Sequence, residues 1–457
     1  MNVENTYQSQ KDFFKSGKTK SVDFRVKSLK KLQHVLKQNE EAVYKVLKED
    51  LGKSQFESFL TEYYVIANEL KKYIKNTKKW SKPDRVTPSI LNFPSTAKIY
   101  KEPYGTTLVI APWNYPFQLA LGPLIGAVAG GNTVVLKPSE FSTATSQLLE
   151  DLITLAFDPN HVKVIQGDAE VSKKLTSLAW DYLFFTGSPK VGNMIYKAAA
   201  EHMTPVTLEL GGKNPCVIHE SANIKVAAKR IVWGKFLNAG QTCIAPDYLI
   251  CHESLKDKML EALKSEIINF YGEQPERNPD YPRIIRRDHL ESLIELLDEQ
   301  YIYYGGGHDV NDLYLAPTLM DQPPADSKVM EGEIFGPIVP LVTYKTIEDI
   351  EEWIGRYAKP LGGYCFTEDK EFSAWFIHKF PFGGGVINDS IVQFVNERLP
   401  FGGVGNSGIG AYHGKKTFEV FSHHKSMVHR RTWLDIKVKY PPYKGKLKKI
   451  KKLLKFV

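Results

Sequence analysis

From Gly105 onward, short apolar runs of strand length alternate with stretches of helical periodicity, and no other feature of the chain limits its fold so strongly. Thr107-Leu-Val-Ile-Ala111, Thr133-Val-Val-Leu136, Val162-Lys-Val-Ile165 and Tyr182-Leu-Phe-Phe185 are too continuously apolar to keep one face in water. Such runs suit parallel strands covered by helices on both sides, so the pattern predicts a doubly wound α/β sheet. A second alternation runs through Pro215-Cys-Val-Ile218, Asp247-Tyr-Leu-Ile-Cys251, Val339-Pro-Leu-Val-Thr-Tyr344 and Gly384-Gly-Val-Ile-Asn388. Two α/β domains follow, with a boundary near residues 205 to 215.

Residues 22 to 80 precede this region and read as helical, because Val22, Val26, Leu29, Leu32 and Leu36 recur at three- and four-residue steps, as do apolar residues from Leu60 to Tyr73. After the Pro- and Ser-punctuated stretch 81 to 95, Thr96 to Pro103 alternates as an exposed hairpin arm would. With 42% hydrophobic and 25% charged residues among 457, the chain has the make-up of a globular protein of two or three domains. Four cysteines without metal or disulfide spacing suit a reducing cytoplasm, and the polar stretch Met1 to Gln10 does not read as a secretory signal. The net charge of +8 is concentrated: Lys437 to Lys455 holds nine lysines and no acid, leaving the remainder at −1, so no general nucleic-acid surface is expected.

Three of the cysteines, Cys216, Cys251 and Cys365, adjoin apolar strands and read as small buried hydrophobes. Cys243 instead follows the polar turn Gly240-Gln-Thr242 and precedes Ile-Ala-Pro246, so its thiol can sit at an opening, although a loop cysteine can equally be structural. Glu209 interrupts an apolar strand before Gly211 and Gly212; it is either a carboxyl of raised pKa suited to general-base work or a strand-end acid in a hydrogen-bond network. Asn114, in the rigid turn Ala111-Pro-Trp-Asn-Tyr-Pro116, could aim a neutral donor into a cleft, or serve the turn itself. Lys137 and Glu140 lie just past a strand's carboxyl end, where ligands bind in open α/β sheets. Gly187, Ser188 and Gly192 open a helix that could receive phosphate on free N–H groups, or form an ordinary βα turn. Met330 to Pro337 and Leu399 to Gly408 read, taken alone, as turn chemistry.

In this order, APWNYP, KPSE, FFTGS, LELGGKNP, NAGQTCIAPDY, EIFGP and LPFGGVGNSG closely resemble the aldehyde dehydrogenase superfamily, and with the short N-terminus its class 3 branch. The resemblance covers about residues 20 to 430. It implies a dinucleotide-binding domain over 1–80 and 104–210, a catalytic domain over 211–388 and a small β bridging and oligomerisation arm over 81–103 and 389–435; the basic tail, 436–457, is set apart by its lysines alone. By the same resemblance Cys243 is the nucleophile, Glu209 the general base, and Asn114 an oxyanion donor beside the Cys243 backbone N–H. Lys137 and Glu140 would contact the adenosine ribose, Gly187, Ser188 and Gly192 would lie by the pyrophosphate, and Glu333, Phe335 and Trp113 would hold the nicotinamide half. The implied cofactor is NAD, with NADP possible, the implied substrate an aldehyde, the implied assembly a homodimer; no metal and no nucleic acid are implied. Glu140 should favour a free 2′-hydroxyl over a 2′-phosphate by charge repulsion.

Gln393 stands where relatives often carry histidine and is expected to line the substrate entrance, while Tyr115, Trp233, Phe401 and Tyr412 would suit an apolar or aromatic aldehyde or simply fill core. An acyl-enzyme resolved by phosphate or CoA is disfavoured by Glu209, and a non-catalytic binding protein by Cys243, Glu209 and Asn114 together. Leu447, Ile450, Leu453 and Leu454 recur at helical spacing among lysines, predicting a basic amphipathic helix that lies on an anionic membrane, packs on a partner subunit, or is solvated.

Overall fold

The computed structural model describes residues 3–454, apart from the side chains of Ile90 and Leu453. Both anticipated sheets form. The first runs Gly408–Ile409, Val206–Glu209, Tyr182–Thr186, Thr106–Ile110, Thr133–Lys137, Val162–Val164 in spatial order, and all are parallel except the first. Chain order reverses between Thr106–Ile110 and Tyr182–Thr186, which opens a crevice at the carboxyl ends of those strands. Ala111 to Asn114 leave one wall of that crevice and Gly187 and Ser188 the other. Helix Gln118–Gly130 is apolar all round and buried along its whole length, as a helix sandwiched between sheet and helices must be.

The second sheet has the order Ile302–Tyr304, Thr318–Asp321, Ile338–Tyr344, Tyr248–His252, Pro215–Ile218, Gly362–Phe366, Gly384–Ile387, again parallel but for the first strand. The chain passes from one sheet to the other between Glu209 and Pro215. Cys216, Cys251 and Cys365 are fully buried within this sheet.

Residues 22 to 80 are helical, as their periodicity requires. Leu29, Leu32 and Leu36 are buried, and Ser21 caps the first helix by accepting the Phe24 N–H. Helix Val3–Lys15 precedes them and lies on the first sheet, with the Gln10 side chain donating to Val134 O at 2.8 Å. The arm is not a self-contained hairpin. Ser95–Pro103 pairs with the short Asp84–Val86 on one edge and with Ser422–Arg430, more than three hundred residues later, on the other. Only this last segment of 389–435 lies in the arm's sheet, because Gly408–Ile409 turns back to pair with Leu208 and Glu209 in the first sheet.

Candidate active site

The loop before Cys243 is built by backbone geometry that few residues tolerate. Asn238 and Ala239 have φ of 54° and 51°, and Gly240 has φ of 74°. A Cβ on Gly240 would stand 2.3 Å from Gly336 O, so glycine is required both by conformation and by contact. Asn214 then clamps the segment: its Nδ2 donates to Cys243 O and Ala245 O at 2.8 and 2.9 Å, and its Oδ1 accepts the Gly362 N–H at 2.7 Å. Cys243 is half-buried, and its sulfur lies against the N–H groups of Cys243 and Ile244. Burial, followed by the carboxyls of Glu333 and Glu209, drives the thiol well above its ordinary pKa, with the two N–H groups opposing.

Glu209 ends the strand Val206–Glu209 and is buried, and neither carboxyl oxygen has a hydrogen-bond partner. The strand-end network considered for it is therefore absent among the described residues. Desolvation holds the carboxyl well above the usual carboxylate range. Opposite it, Gly408 supplies the antiparallel partner and Ser407 O accepts the Leu210 N–H at 3.1 Å. The glycine-dense segment that read as turn chemistry is thus the edge strand beside Glu209.

Asn114 is buried in its turn and spends one amide hydrogen on Gln241 O at 3.0 Å, leaving the other. Trp113 meets Phe335 edge to face at 5.4 Å between ring centres, with His289 against Trp113 at 5.5 Å. Glu333 reaches back over the Gly211–Gly212 backbone, and a Cβ on Gly211 would stand 2.1 Å from its Oε2. Burial and Asp247 push the Glu333 carboxyl up to about 8, and its Oε1 is buried without a partner. This orphaned acceptor is what a ribose diol would satisfy. Lys137 and Glu140 meet at 2.6 Å past the end of Thr133–Lys137.

Gly192 departs from its expected use. Its N–H is spent on Ser188 O at 2.9 Å, and a Cβ there would lie 2.6 Å from Leu210 Cδ2, so it lets helix Pro189–Glu201 pack on the strand beyond Glu209. Ser188 caps that helix by accepting the Val191 N–H. Gln393 lines a cavity with Leu399 and Phe401, and its Nε2 donates to Tyr364 OH at 2.9 Å, a hydroxyl that donates to Ile244 O at 2.5 Å, so Gln393 also braces the nucleophile loop.

Several residues here carry no local signal of function. Lys213 donates to Asp247 Oδ2, Val329 O and Gly332 O at 2.7, 2.9 and 2.7 Å, while Asp247 Oδ1 accepts the Ile334 N–H at 3.0 Å. One buried ion pair thereby fixes the loop that presents Glu333 and Phe335. Lys235 is fully buried without a hydrogen-bond partner; burial pulls its ammonium down to about 8, against the opposing charges of Asp247 and Glu333. Neither the loop position of Lys213 nor the helical spacing of Lys235 sets them apart from the many solvated lysines.

A crevice at the switch point of a parallel sheet, bordered by a thiol, an unpartnered carboxyl and an amide donor, marks a nucleotide-dependent enzyme. The chain belongs to the aldehyde dehydrogenase family, whose model matches residues 1–427. It is 45% identical over 455 residues to the 4,4'-diaponeurosporen-aldehyde dehydrogenase of Staphylococcus aureus, covering 99% of each chain. It is 42% identical over 447 residues to aldehyde dehydrogenase family 3 member H1 of Arabidopsis thaliana, covering 96% of this chain and 92% of that one. Its fold matches the substrate-bound state of Staphylococcus aureus AldH with a TM-score of 0.98 and 45% identity, over 99% of this chain and 100% of the other.

Proposed function

We propose that this aldehyde dehydrogenase oxidises apolar aldehydes, aliphatic of medium or long chain or aromatic, to carboxylic acids through a thioester on Cys243 that water resolves. The observation that carries the reading is the buried, unpartnered Glu209 carboxyl within reach of the Cys243 charge. A dry, unpartnered carboxyl of raised basicity beside a nucleophile is of use, once ionised, when a water must be deprotonated there, which is the step that phosphate- or CoA-resolved acyl enzymes do not need.

Cys243 attacks the aldehyde carbon, its proton leaving to cleft water, and the new oxyanion meets the free Asn114 N–H and the Cys243 backbone N–H. Each such donor contributes about 3 kcal/mol to the transition state. NAD, or NADP, supplies the hydride acceptor that turns the thiohemiacetal into a thioester. Glu333, Phe335, Trp113, Lys137, Glu140, Gly187 and Ser188 are the residues that would hold it, with Gly211 leaving room for Glu333 to face its ribose. Glu209 in its ionised form then takes a proton from water, and the resulting hydroxide displaces the Cys243 thiolate from the acyl carbon. Tyr115 and Tyr412 are buried within Coulombic reach of Cys243, and Phe401 meets Tyr412 edge to face at 5.7 Å between ring centres, which suits an apolar chain better than a small polar aldehyde. A panel of aldehydes of rising chain length, read by the absorbance of reduced cofactor with NAD and with NADP, tests this. Activity should rise with chain length, and a preference for short hydrophilic aldehydes would overturn the substrate assignment.

The tail bears on how such a substrate arrives. Helix Leu447–Leu454 carries lysines on one side, exposes Leu447 and Leu454, and among the described residues touches little beyond the turn Lys437–Lys439; Leu453, expected on the same face, lies outside the described side chains. Trp433, Tyr440 and Tyr443 are exposed on the approach to it. Interfacial aromatics followed by a cationic amphipathic helix suit the surface of an anionic bilayer. No helix among the described residues is long and apolar enough to cross a membrane. The homodimer implied by the family resemblance finds a physical reason in two open sheet edges, Gly384–Ile387 and Ser422–Arg430. Flotation with phosphatidylserine vesicles and sedimentation, on the full chain and on one ending at Tyr440, separate the alternatives. The full chain should float as a dimer and the shortened one remain a dimer but stay down; loss of the dimer instead would place the tail on the partner subunit.

A further inference from the structure

We infer that the buried Lys53–Glu62 ion pair is a positioning device that holds the Asn114 turn against the Cys243 loop. The inference rests on the reading of Asn114 as the oxyanion donor. Both side chains are fully buried, with Lys53 Nζ 2.7 Å from Glu62 Oε1. Lys53 Nζ also donates to Asn114 O at 3.1 Å and lies 4.1 Å from the centre of the Tyr115 ring. Glu62 Oε2 accepts the N–H groups of Phe117 and Gln118 at 2.9 and 3.0 Å, the residues on which the turn ends and helix Gln118–Gly130 begins. The pair therefore grips the turn on both sides of its catalytic amide.

The same carbonyl, Asn114 O, accepts Asn238 Nδ2 at 2.8 Å from the opposite wall. Asn238 is kept in its left-handed conformation by Glu57, whose Oε1 accepts the Asn238 N–H at 2.9 Å. Asn114 Nδ2 and Asn238 Nδ2 both donate to Gln241 O, and Tyr115 OH lies 2.7 Å from Thr242 Oγ1. Glu57 and Glu62 come from one stretch of helix, five residues apart, with the π turn Phe59–Tyr63 beginning between them. A local widening of the helix is a recurrent device for turning extra side chains toward a functional site.

Stability alone does not account for these charges. Well-packed apolar residues in place of a fully buried ion pair are often neutral or stabilising. What apolar residues cannot do is bond one carbonyl and two N–H groups of the same turn at fixed geometry. A displacement of about 1 Å in a positioned group can cost on the order of 100-fold in rate, so the orientation of one amide is sufficient reason for the network.

The test is a double-mutant cycle between the pair and Asn114. Lys53→Met alone would leave a buried carboxylate unpaired, at a strong cost to folding, so Lys53→Met is combined with Glu62→Gln to keep the site neutral, and Glu62→Gln alone is carried as a milder variant. Each is compared with Asn114→Ala and with the combined substitutions, reading kcat, the KM for aldehyde and the melting temperature. The paired substitution should lower kcat about 10- to 100-fold with little change in KM, and Glu62→Gln alone by a smaller factor. In the Asn114→Ala background either change should cost less than about 2-fold, since the group being positioned is gone. An undiminished loss in that background, or no loss in the parent, would overturn the inference while leaving the donor reading intact. A fully active Asn114→Ala would remove the donor reading, and the inference with it.

Discussion

Cys243→Ala should abolish aldehyde oxidation, with kcat falling by about 10⁴-fold or more while the melting temperature and the affinity for dinucleotide stay close to those of the parent. The structural argument is that nothing else near the cleft can replace the thiol. Cys216, Cys251 and Cys365 are fully buried in the second sheet, where burial raises each thiol, and none faces the crevice between the domains. The Cys243 side chain accepts no structural duty that alanine would forfeit, because the loop is held through backbone atoms: Asn214 on Cys243 O and Ala245 O, and Tyr364 on Ile244 O. The thiol is raised by burial and by two neighbouring carboxyls, so the reactive thiolate is scarce at neutral pH and gains population as pH rises. Alkylation by iodoacetamide should accordingly speed up with pH through the alkaline range in the parent and be lost in the alanine variant. Turnover by Cys243→Ala within tenfold of the parent would exclude a covalent route through this residue.

The parts of this site that could be read from sequence are those in which a residue contradicts its immediate surroundings. Glu209 stands out because it follows Val206-Thr-Leu in a buried strand, and Cys243 because it alone of the cysteines sits in a polar turn. The strands were equally legible, since runs such as Thr106–Ile110 and Thr133–Lys137 are apolar on both faces and parallel pairing is the way to bury both. What escapes is whatever depends on a distant partner. Lys53, Glu57 and Glu62 look like the solvated side of an amphipathic helix, and only the packing of that helix on the Asn114 turn and the Asn238 loop shows them to be buried. The strand Gly408–Ile409 is two residues long and half glycine, so no propensity marks it; it is a strand because Leu208 and Glu209 offer it an edge. Gly192, read from the sequence for its free N–H, also clears space for Leu210, which no local pattern announces. Gln393, expected at the substrate entrance, is in addition engaged through Tyr364 with the residue after the nucleophile, a link between distant segments that sequence does not show.

Glu209→Gln should separate the two halves of the reaction. Acylation of Cys243 does not require the Glu209 carboxylate once the thiolate has formed, so the variant should release about one equivalent of reduced cofactor per site in a rapid burst. Hydrolysis of the thioester should then limit turnover, at a rate about 10²- to 10⁴-fold below the parent. A linear progress curve without a burst, or parent-like turnover, would remove Glu209 as the deacylating base. The same substitution makes a stability prediction of definite sign. Burial raises the Glu209 pKa in the folded protein above its unfolded value, so the folded state binds the extra proton. Its contribution to stability is fully present below the unfolded pKa and is lost as pH rises toward the folded pKa, by about 1.4 kcal/mol for each pH unit between the two. Glutamine has no proton to lose and is flat across that window. The parent should therefore lose stability relative to Glu209→Gln as pH is raised above the ordinary carboxylate range toward the raised folded-state pKa, over the range in which its deacylation accelerates. Both effects follow from one property of the site: Glu209 is kept dry enough to hold its proton, and giving up that proton makes it a base while weakening the fold that surrounds it.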